Sequence, residues 1–545
     1  LNLVNSKKKI IIPTQPIPPK PQSSPPPTTP PRSLQDEMIT GLKKEQIQNN
    51  KLDNISILPI SNKTVLKALE EGEDGDAYLL IKLLKDRYVF DHSAGEWFYW
   101  NDNFWRLDKI NHVTTLIKEV IDLYGTQKIY EILALQNAGS EKDEDAQKKH
   151  EYLIKSLETR IQSLRTLTRK KEVLRLACSG LNSLAITGEN WDNHPMLLAC
   201  RNGCIDLKKG EFRDGIPGDY IKTVSPIKWE SYKTPCPIWK EFLSQMLSNN
   251  QDIVDYVQRL LGYGITGLNT EHIFPIFWGS EGRNGKGTLF ETLKYVLGDF
   301  AYKAPANFLM EQNFKTSGAS PDAVKIGLRG KRIVWCSETN EKDRLDVANL
   351  KELVGGDTLS ARAPYARRQV EFTPSHLLLI ILNKRPKVPA NDRPLWERLH
   401  LIPLENSFVD NPDPKKPHEF KADKRLLSKL KKEAPGILAW LVAGCLLWQK
   451  YGISPPNIIN AATEEYRQNE DILGDFIKEC CFEDDNPMLR ITTKDFYAAY
   501  KKWCDEVGHY PMSKKRFLED MRVRFEYLKS DGQRYFINVG LVLEA

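Results

Sequence analysis

Four short, uninterrupted apolar runs mark the middle of the chain: Ile273 to Trp278, Ile333 to Cys336, Leu377 to Leu382 and Leu399 to Ile402. Runs of this length without polar alternation are typical of strands buried on both faces. Segments of helical character separate them. The pattern predicts a parallel sheet covered by helices, an α/β domain spanning about 237–450. The first run feeds a glycine-rich stretch, Gly279-Ser-Glu-Gly-Arg-Asn-Gly-Lys-Gly-Thr288, and a helix is expected from Leu289 to Leu297.

On the N-terminal side the periodicity is mixed. Tyr88 to Phe90 and Glu96 to Trp100 read as strands around a turn at Ser93-Ala-Gly95. Thr114 to Tyr124 reads as an amphipathic helix. Glu141 to Leu176 reads as one long charged helix with Leu153, Leu157, Ile161, Leu164 and Leu167 along a stripe. Asn202 to Gly210 reads as a strand and turn. These elements define a mixed α/β domain over 75–232. At the other end, 470–545, Thr493 to Val507 carries Phe496, Tyr497, Tyr500 and Trp503 on one helical face. Ser513 caps a second helix, Lys514 to Arg524, and Asp531-Gly532 turns a hairpin. Helix, helix and hairpin read as a winged helix. Lys514, Lys515, Arg522, Arg524 and Arg534 are its candidate phosphate contacts.

Composition adds limits. A chain of 545 residues with 28% charged and 41% hydrophobic residues reads as a soluble multidomain protein. The net charge of +6 permits nucleic-acid binding without requiring it. The longest apolar helix candidate, Ile437 to Trp448, is too short for a membrane span. Nine scattered cysteines fit a reducing cytosol and core positions, and a cytoplasmic location in a bacterial host is expected. His194, Cys200 and Cys204 lack a fourth ligand at metal-binding spacing. Residues 1–33 are Pro-rich after Lys7-Lys8-Lys9 and read as an extended linker; 34–74 are polar. The chain begins with Leu1, so a segment upstream is expected.

The glycine-rich stretch has the layout of a phosphate-binding loop: strand, loop, Lys, helix. Backbone N–H groups and the helix N-terminus would face the phosphates, and Lys286 would reach the β- and γ-phosphates. Gly279, Gly282, Asn284, Gly285, Lys286, Gly287 and Thr288 are the candidate ATP-binding set. The spelling departs from G-x-x-x-x-G-K-[ST]: Ser280 stands where the first Gly belongs, and Gly287 separates Lys286 from the Thr288 hydroxyl. Glu338, beyond the second run, is the candidate acid for Mg²⁺ and for the attacking water. Asn383, at the tip of the third run, is placed to sense the γ-phosphate. A hairpin between them carries Arg362, Tyr365, Arg367 and Arg368, a combination suited to a phosphate backbone and base stacking. The alternatives are a plain surface hairpin and a turn-forming Asn.

In this order, GSEGRNGKGT, LRGKRIVWCSETNE, LKELVGGDTLSARAPY, HLLLIILNKRP and DRPLWERLHLIPL resemble the phage/plasmid and poxvirus-type primase-helicases, superfamily 3 helicases of the AAA+ class. The resemblance runs from about residue 75 to the end, with NGCIDLKKGEF similar to the N-terminal helicase-associated domain. It implies an ATP-driven ring, usually a hexamer, acting on single-stranded and forked DNA. By motif it places phosphate and Mg²⁺ at Lys286 and Thr288, the Walker B acid at Glu338, and sensor 1 at Asn383. Arg398 becomes a finger reaching the neighbouring subunit, and Lys351 falls with the hairpin in the DNA-contacting motif. A primase domain, common in such proteins, is expected upstream or on a separate chain. A DNA-binding initiator with a weak motor and a primase-polymerase are the competing readings.

Overall fold

The computed structural model describes residues 60–542 apart from 142, 312–321, 338–343, 363–368, 487 and 531. The chain divides into two compact units, Leu1–Val65 and Leu66–Ala545. All that follows concerns the second.

Its N-terminal part opens with helix α1 (Glu73–Leu84) and strands β1 (Tyr88–Asp91), β2 (Glu96–Trp100) and β3 (Trp105–Leu107). Three helices follow: α2 (Ile117–Glu141), α3 (Glu144–Leu164) and α4 (Leu167–Ala177). Strand β4 (Ala185–Ile186) then joins β1 in parallel, giving the sheet order β3-β2-β1-β4. A meander of β5 (Leu197–Cys200), β6 (Gly203–Asp206) and β7 (Glu211–Arg213) ends this part. Two expectations need correction. The helix expected at Thr114 to Tyr124 extends to Glu141 and pairs with α3. The single helix expected over Glu141 to Leu176 is broken. Thr166 leaves the helical path and its hydroxyl accepts from Arg169 N, starting α4. Leu167, assigned to the stripe, is exposed, while Leu157, Ile161 and Leu164 are buried. A periodicity count does not see a cap that restarts the helix. These helices meet at Asp76, which is fully buried and takes Arg160 at 2.9 Å, Arg169 and the Tyr124 hydroxyl. A buried carboxylate is tolerable when paired in this way.

The central part begins with helices α5 (Pro237–Met246) and α6 (Gln251–Gly264). Its sheet comprises β8 (Phe274–Trp278), β9 (Ala301–Ala304), β10 (Ile333–Ser337), β13 (Leu377–Leu382) and β14 (Leu399–Pro403). Helix α7 (Lys286–Leu297) follows β8, and α8 (Val347–Val354) lies between β10 and the hairpin β11 (Leu359–Ala361) and β12 (Val370–Phe372). The short helix α9 (Arg393–Trp396) precedes β14, and β15 (Ser407–Val409) and β16 (Glu419–Lys421) follow it. All five strands of the central sheet run parallel in the order β14-β8-β13-β10-β9. Successive residues point to opposite faces. Ile333, Trp335, Leu379 and Ile402 pack on one side with α5, α6 and α7. Val334, Cys336, Ile380 and Leu401 pack on the other with α8. Both faces are buried, which is why the runs carry no polar alternation. The edge strand β9, with Lys303 exposed, has no such run and leaves no apolar signal in the sequence.

Helices α10 (Leu426–Lys432), α11 (Ala434–Tyr451) and α12 (Asn457–Asn469) complete this part. The remainder holds α13 (Ile472–Cys480), β17 (Cys481–Glu483), β18 (Arg490–Thr492), α14 (Thr493–Val507), α15 (Lys514–Arg524), β19 (Tyr527–Ser530), β20 (Gln533–Ile537) and β21 (Val539–Leu541). Both of the last helices occupy the residues the sequence indicates. Phe496, Tyr500 and Trp503 of α14 meet Phe476, Phe517 and Phe536 in one aromatic core.

Candidate nucleotide and nucleic-acid site

Strand β8 lies between β14 and β13, where the strand order reverses, so its C-terminal end opens onto the crevice in which α/β sheets bind ligands. Gly279 leaves this strand end and donates to Leu382 O at 3.2 Å. The reason for a Gly here is local. A Cβ at 279 would sit 2.4 Å from Asn284 Oδ1 and 2.9 Å from Leu404 O. Asn284 folds back over this position and is almost fully buried. Its Nδ2 donates to Leu404 O at 3.2 Å and Asn406 O at 2.9 Å, fastening the loop to the segment after β14. Gly282 (φ 72°), Arg283 (φ 53°) and Gly285 (φ 82°) turn the chain through left-handed backbone, and α7 starts at once with Lys286. The displaced glycine thus fits a loop closed by Asn284.

Lys286 is 8% exposed, and its ammonium donates to Gly279 O at 3.2 Å and Asn284 Oδ1 at 2.9 Å. Burial lowers its pKa to about 8. Both partners among the described residues are neutral oxygens, and the ammonium stands at the N-terminus of α7, where an anion is favoured. Thr288 lies in the first turn of the same helix. Beside the loop a cleft of about 380 Å³ is lined by Arg283, Gly287, Thr288, Phe242, Phe408 and Lys424. Phe242 and Phe408 stand 6.3 Å apart, ring centre to ring centre. These aromatics come from α5 and β15, far from the loop in sequence, and no local motif marks them.

Asn383 is exposed directly after β13, whose Leu382 is in register with Trp278 of β8. It therefore emerges beside the loop. Strand β10 ends at Ser337, in register with Ile381, on the same edge of the sheet. Glu338 lies outside the described residues. Arg398 is on the opposite edge: its carbonyl accepts from Phe274 N at 2.9 Å, where β8 begins. The length of β8, about 16 Å, separates it from the loop of its own chain. Arg393, not Arg398, makes the helix salt bridge, to Glu397 at 2.7 Å.

The hairpin forms with Leu359 opposite Phe372. Arg362 is exposed at its base, while Tyr365, Arg367 and Arg368 lie outside the described residues. The Lys351 ammonium sits 2.8 Å from both oxygens of Asp392, the capping residue of α9, and so ties α8 to α9. In the C-terminal part Lys514, Lys515, Arg522 and Arg534 are exposed. Arg522 lies 4.3 Å over the Tyr527 ring. Arg524 is the exception, because it is ion-paired with Asp471, the cap of α13. Cys200 and Cys204 are fully buried in β5 and β6.

Comparison with known proteins extends this picture. The D5 N terminal like family matches residues 77–248, a family of unknown function matches 277–398, and the Poxvirus D5 protein-like family matches 467–538. "Putative helicase L207/L206" of Acanthamoeba polyphaga mimivirus is 28% identical over 457 residues, covering 80% of this chain and 46% of the relative. "Putative helicase 121R" of Invertebrate iridescent virus 3 is 24% identical, covering 84% and 52%. "Putative primase C962R" of African swine fever virus (strain Badajoz 1971 Vero-adapted) is 23% identical, covering 57% and 33%. The chain spans about half the length of the first two relatives and a third of the last. The apo structure of the NrS-1 C-terminal region aligns with a TM-score of 0.43 at 13% identity, over 85% of this chain and 99% of that one. Two stretches of the chain thus resemble D5-type families, and the relatives above are named as putative helicases and primases. These relatives come from large DNA viruses, so the bacterial host expected from the sequence finds no support among them. No helix among the described residues is long and apolar enough to cross a membrane.

Proposed function

We propose that this chain is the motor portion of a viral primase-helicase, an AAA+ ATPase of superfamily 3 that moves on single-stranded DNA as a ring. The observation that carries the reading is Lys286: a buried ammonium whose partners among the described residues are neutral, at a helix N-terminus, on the sheet edge where Asn383 also emerges. The parallel strand order and the Asn284-closed loop support an AAA+ core. ATP would place its phosphates on the loop N–H groups and Lys286, with its base toward Phe242 and Phe408. The Thr288 hydroxyl with Glu338 suits Mg²⁺, which takes oxygen ligands and shares phosphate oxygens. Mg²⁺ would supply charge neutralisation at the transferring phosphate. Asn383 would orient the attacking water, and Glu338 would polarise it.

Arg398 supports assembly. Lying a full strand length from its own loop, it can serve a nucleotide only in a neighbouring subunit. A closed ring, a hexamer by family resemblance, satisfies each loop with the next subunit's Arg398. The hairpin that starts at Arg362 would grip the strand. The C-terminal part, with α14, α15 and the β19–β20 hairpin, is read as a winged helix that meets forked or duplex DNA through Lys514, Lys515, Arg522 and Arg534. A primase would be supplied upstream or by a separate chain.

The test is the ATPase rate with and without single-stranded DNA, alongside mass by light scattering. DNA-stimulated turnover in a ring-sized species is expected. A monomer without stimulated turnover would replace this reading with a DNA-binding initiator.

A further inference from the structure

Arg385 lies two residues beyond Asn383. Its guanidinium carbon is 3.8 Å from the ring centre of Trp278, the last residue before the phosphate loop, and 5.3 Å from that of Tyr466 on α12. Its Nη1 reaches Glu465 Oε1 at 3.5 Å, a weak contact with a carboxylate that is 64% exposed, while Arg385 itself is only 17% exposed. Its Nε is buried without a hydrogen bond, as is Trp278 Nε1. Unsatisfied donors of this kind are costly and mark places where an arrangement is kept for more than stability.

The surrounding bonds give the cluster direction. The Tyr466 hydroxyl donates to Pro386 O. Glu470 Oε2 accepts from Val388 N at 3.2 Å, and Thr463 Oγ1 accepts from Leu401 N at 2.9 Å. Helix α12 is thereby fastened to the segment after Asn383 and to β14, and it runs directly into the Asp471 cap of α13. On its other side Arg385 shares a cavity of about 720 Å³ with Ser280, Glu281 and Asn284 of the loop.

We propose that Arg385 is a positioning residue that couples the phosphate loop to helix α12 and through it to the C-terminal part. Stacked on Trp278 and Tyr466 together, its planar cation moves with either ring. A shift of the β8 end on nucleotide binding is carried to α12, and restraint of the C-terminal part by DNA is carried back to the loop, as linkage requires. This rests on the nucleotide reading above.

Hydrogen exchange of residues 457–469, with and without a non-hydrolysable ATP analogue, tests it on the full chain, with analogue affinity measured in parallel. In the unaltered protein the analogue is expected to change exchange in 457–469. Arg385→Ala should reduce that change at least ~5-fold, the lower end of ordinary coupling, and lower DNA-stimulated kcat more than it raises KM. Arg385→Lys, which keeps the charge and loses the planar face over Trp278, should reduce it in the same direction, and decides the matter if Arg385→Ala does not fold. Wild-type-like exchange responses in the variants would overturn the coupling, as would an unaltered protein that binds the analogue without responding in 457–469. Failure of the unaltered protein to bind the analogue would overturn the nucleotide reading, and the coupling with it.

Discussion

At the scale of single residues, the site turns on two side chains that hold each other. Lys286 has a pKa of about 8 because burial disfavours its charge. Phosphates would restore the proton, so nucleotide binding above pH 8 must take up protons. Apparent affinity is expected to fall by up to ~10-fold per pH unit above pH 8, with proton uptake visible by calorimetry in buffers of different ionisation enthalpy. A pH-independent affinity between pH 7 and 9 would refute this. For the empty protein the sign is separate. The unfolded chain keeps this proton up to about pH 10.5, so folding gains stability as pH rises from about 8 to 10.5. Asn284 holds Lys286 and also supplies hydrogen bonds to Leu404 O and Asn406 O. Asn284→Ala strands both carbonyls and should cost about 2 kcal/mol of stability, with weaker ATP binding. Thermal unfolding and a fluorescent-nucleotide titration would measure the two losses, and an unchanged midpoint would contradict the anchoring role.

Among elements, α6 and α11 cross backbone against backbone. A Cβ on Gly262 would meet Gly444 C at 2.1 Å, and one on Gly444 would meet Gln258 O at 2.2 Å. Both obstacles are backbone, so neither can turn aside. Gly444→Ala is expected to push the helices apart at a cost of about 1–3 kcal/mol, read as a lowered thermal midpoint. Because α6 packs under the sheet that carries the loop, ATP affinity should weaken as well; a fully stable Gly444→Ala would show the contact to be loose. Glycines in a helix seam leave no hydrophobic signal, so this crossing was invisible to periodicity. The two terminal helices were legible, with Ser513 marking the first turn of the second, whereas α7 starts at Lys286, three residues before the expected Leu289, because the left-handed Gly285 releases the chain straight into the helix.

For the whole molecule, the placement of Arg398 and Lys286 on opposite sheet edges makes the assembly testable. Arg398→Ala should abolish ATPase activity alone and recover part of it in mixed rings with Glu338→Gln subunits, because each variant keeps what the other lacks. Absence of recovery at every mixing ratio would mean that Arg398 does not act across subunits.

The sequence by itself determined the parallel sheet, the loop with its Lys, and the order of the motifs. Each of these is local: an apolar run buried on both faces, a glycine where backbone turns left-handed, a cap before a helix. Tertiary structure decided what local patterns cannot encode. It brought Phe242 and Phe408 to the cleft beside the loop from distant elements, and set Lys351 and Arg524 against Asp392 and Asp471. A basic side chain reads the same in sequence whether it faces solvent or an acid. Only the packing that brings the carboxylate alongside distinguishes them, because the free energy of a charge depends on what surrounds it in space.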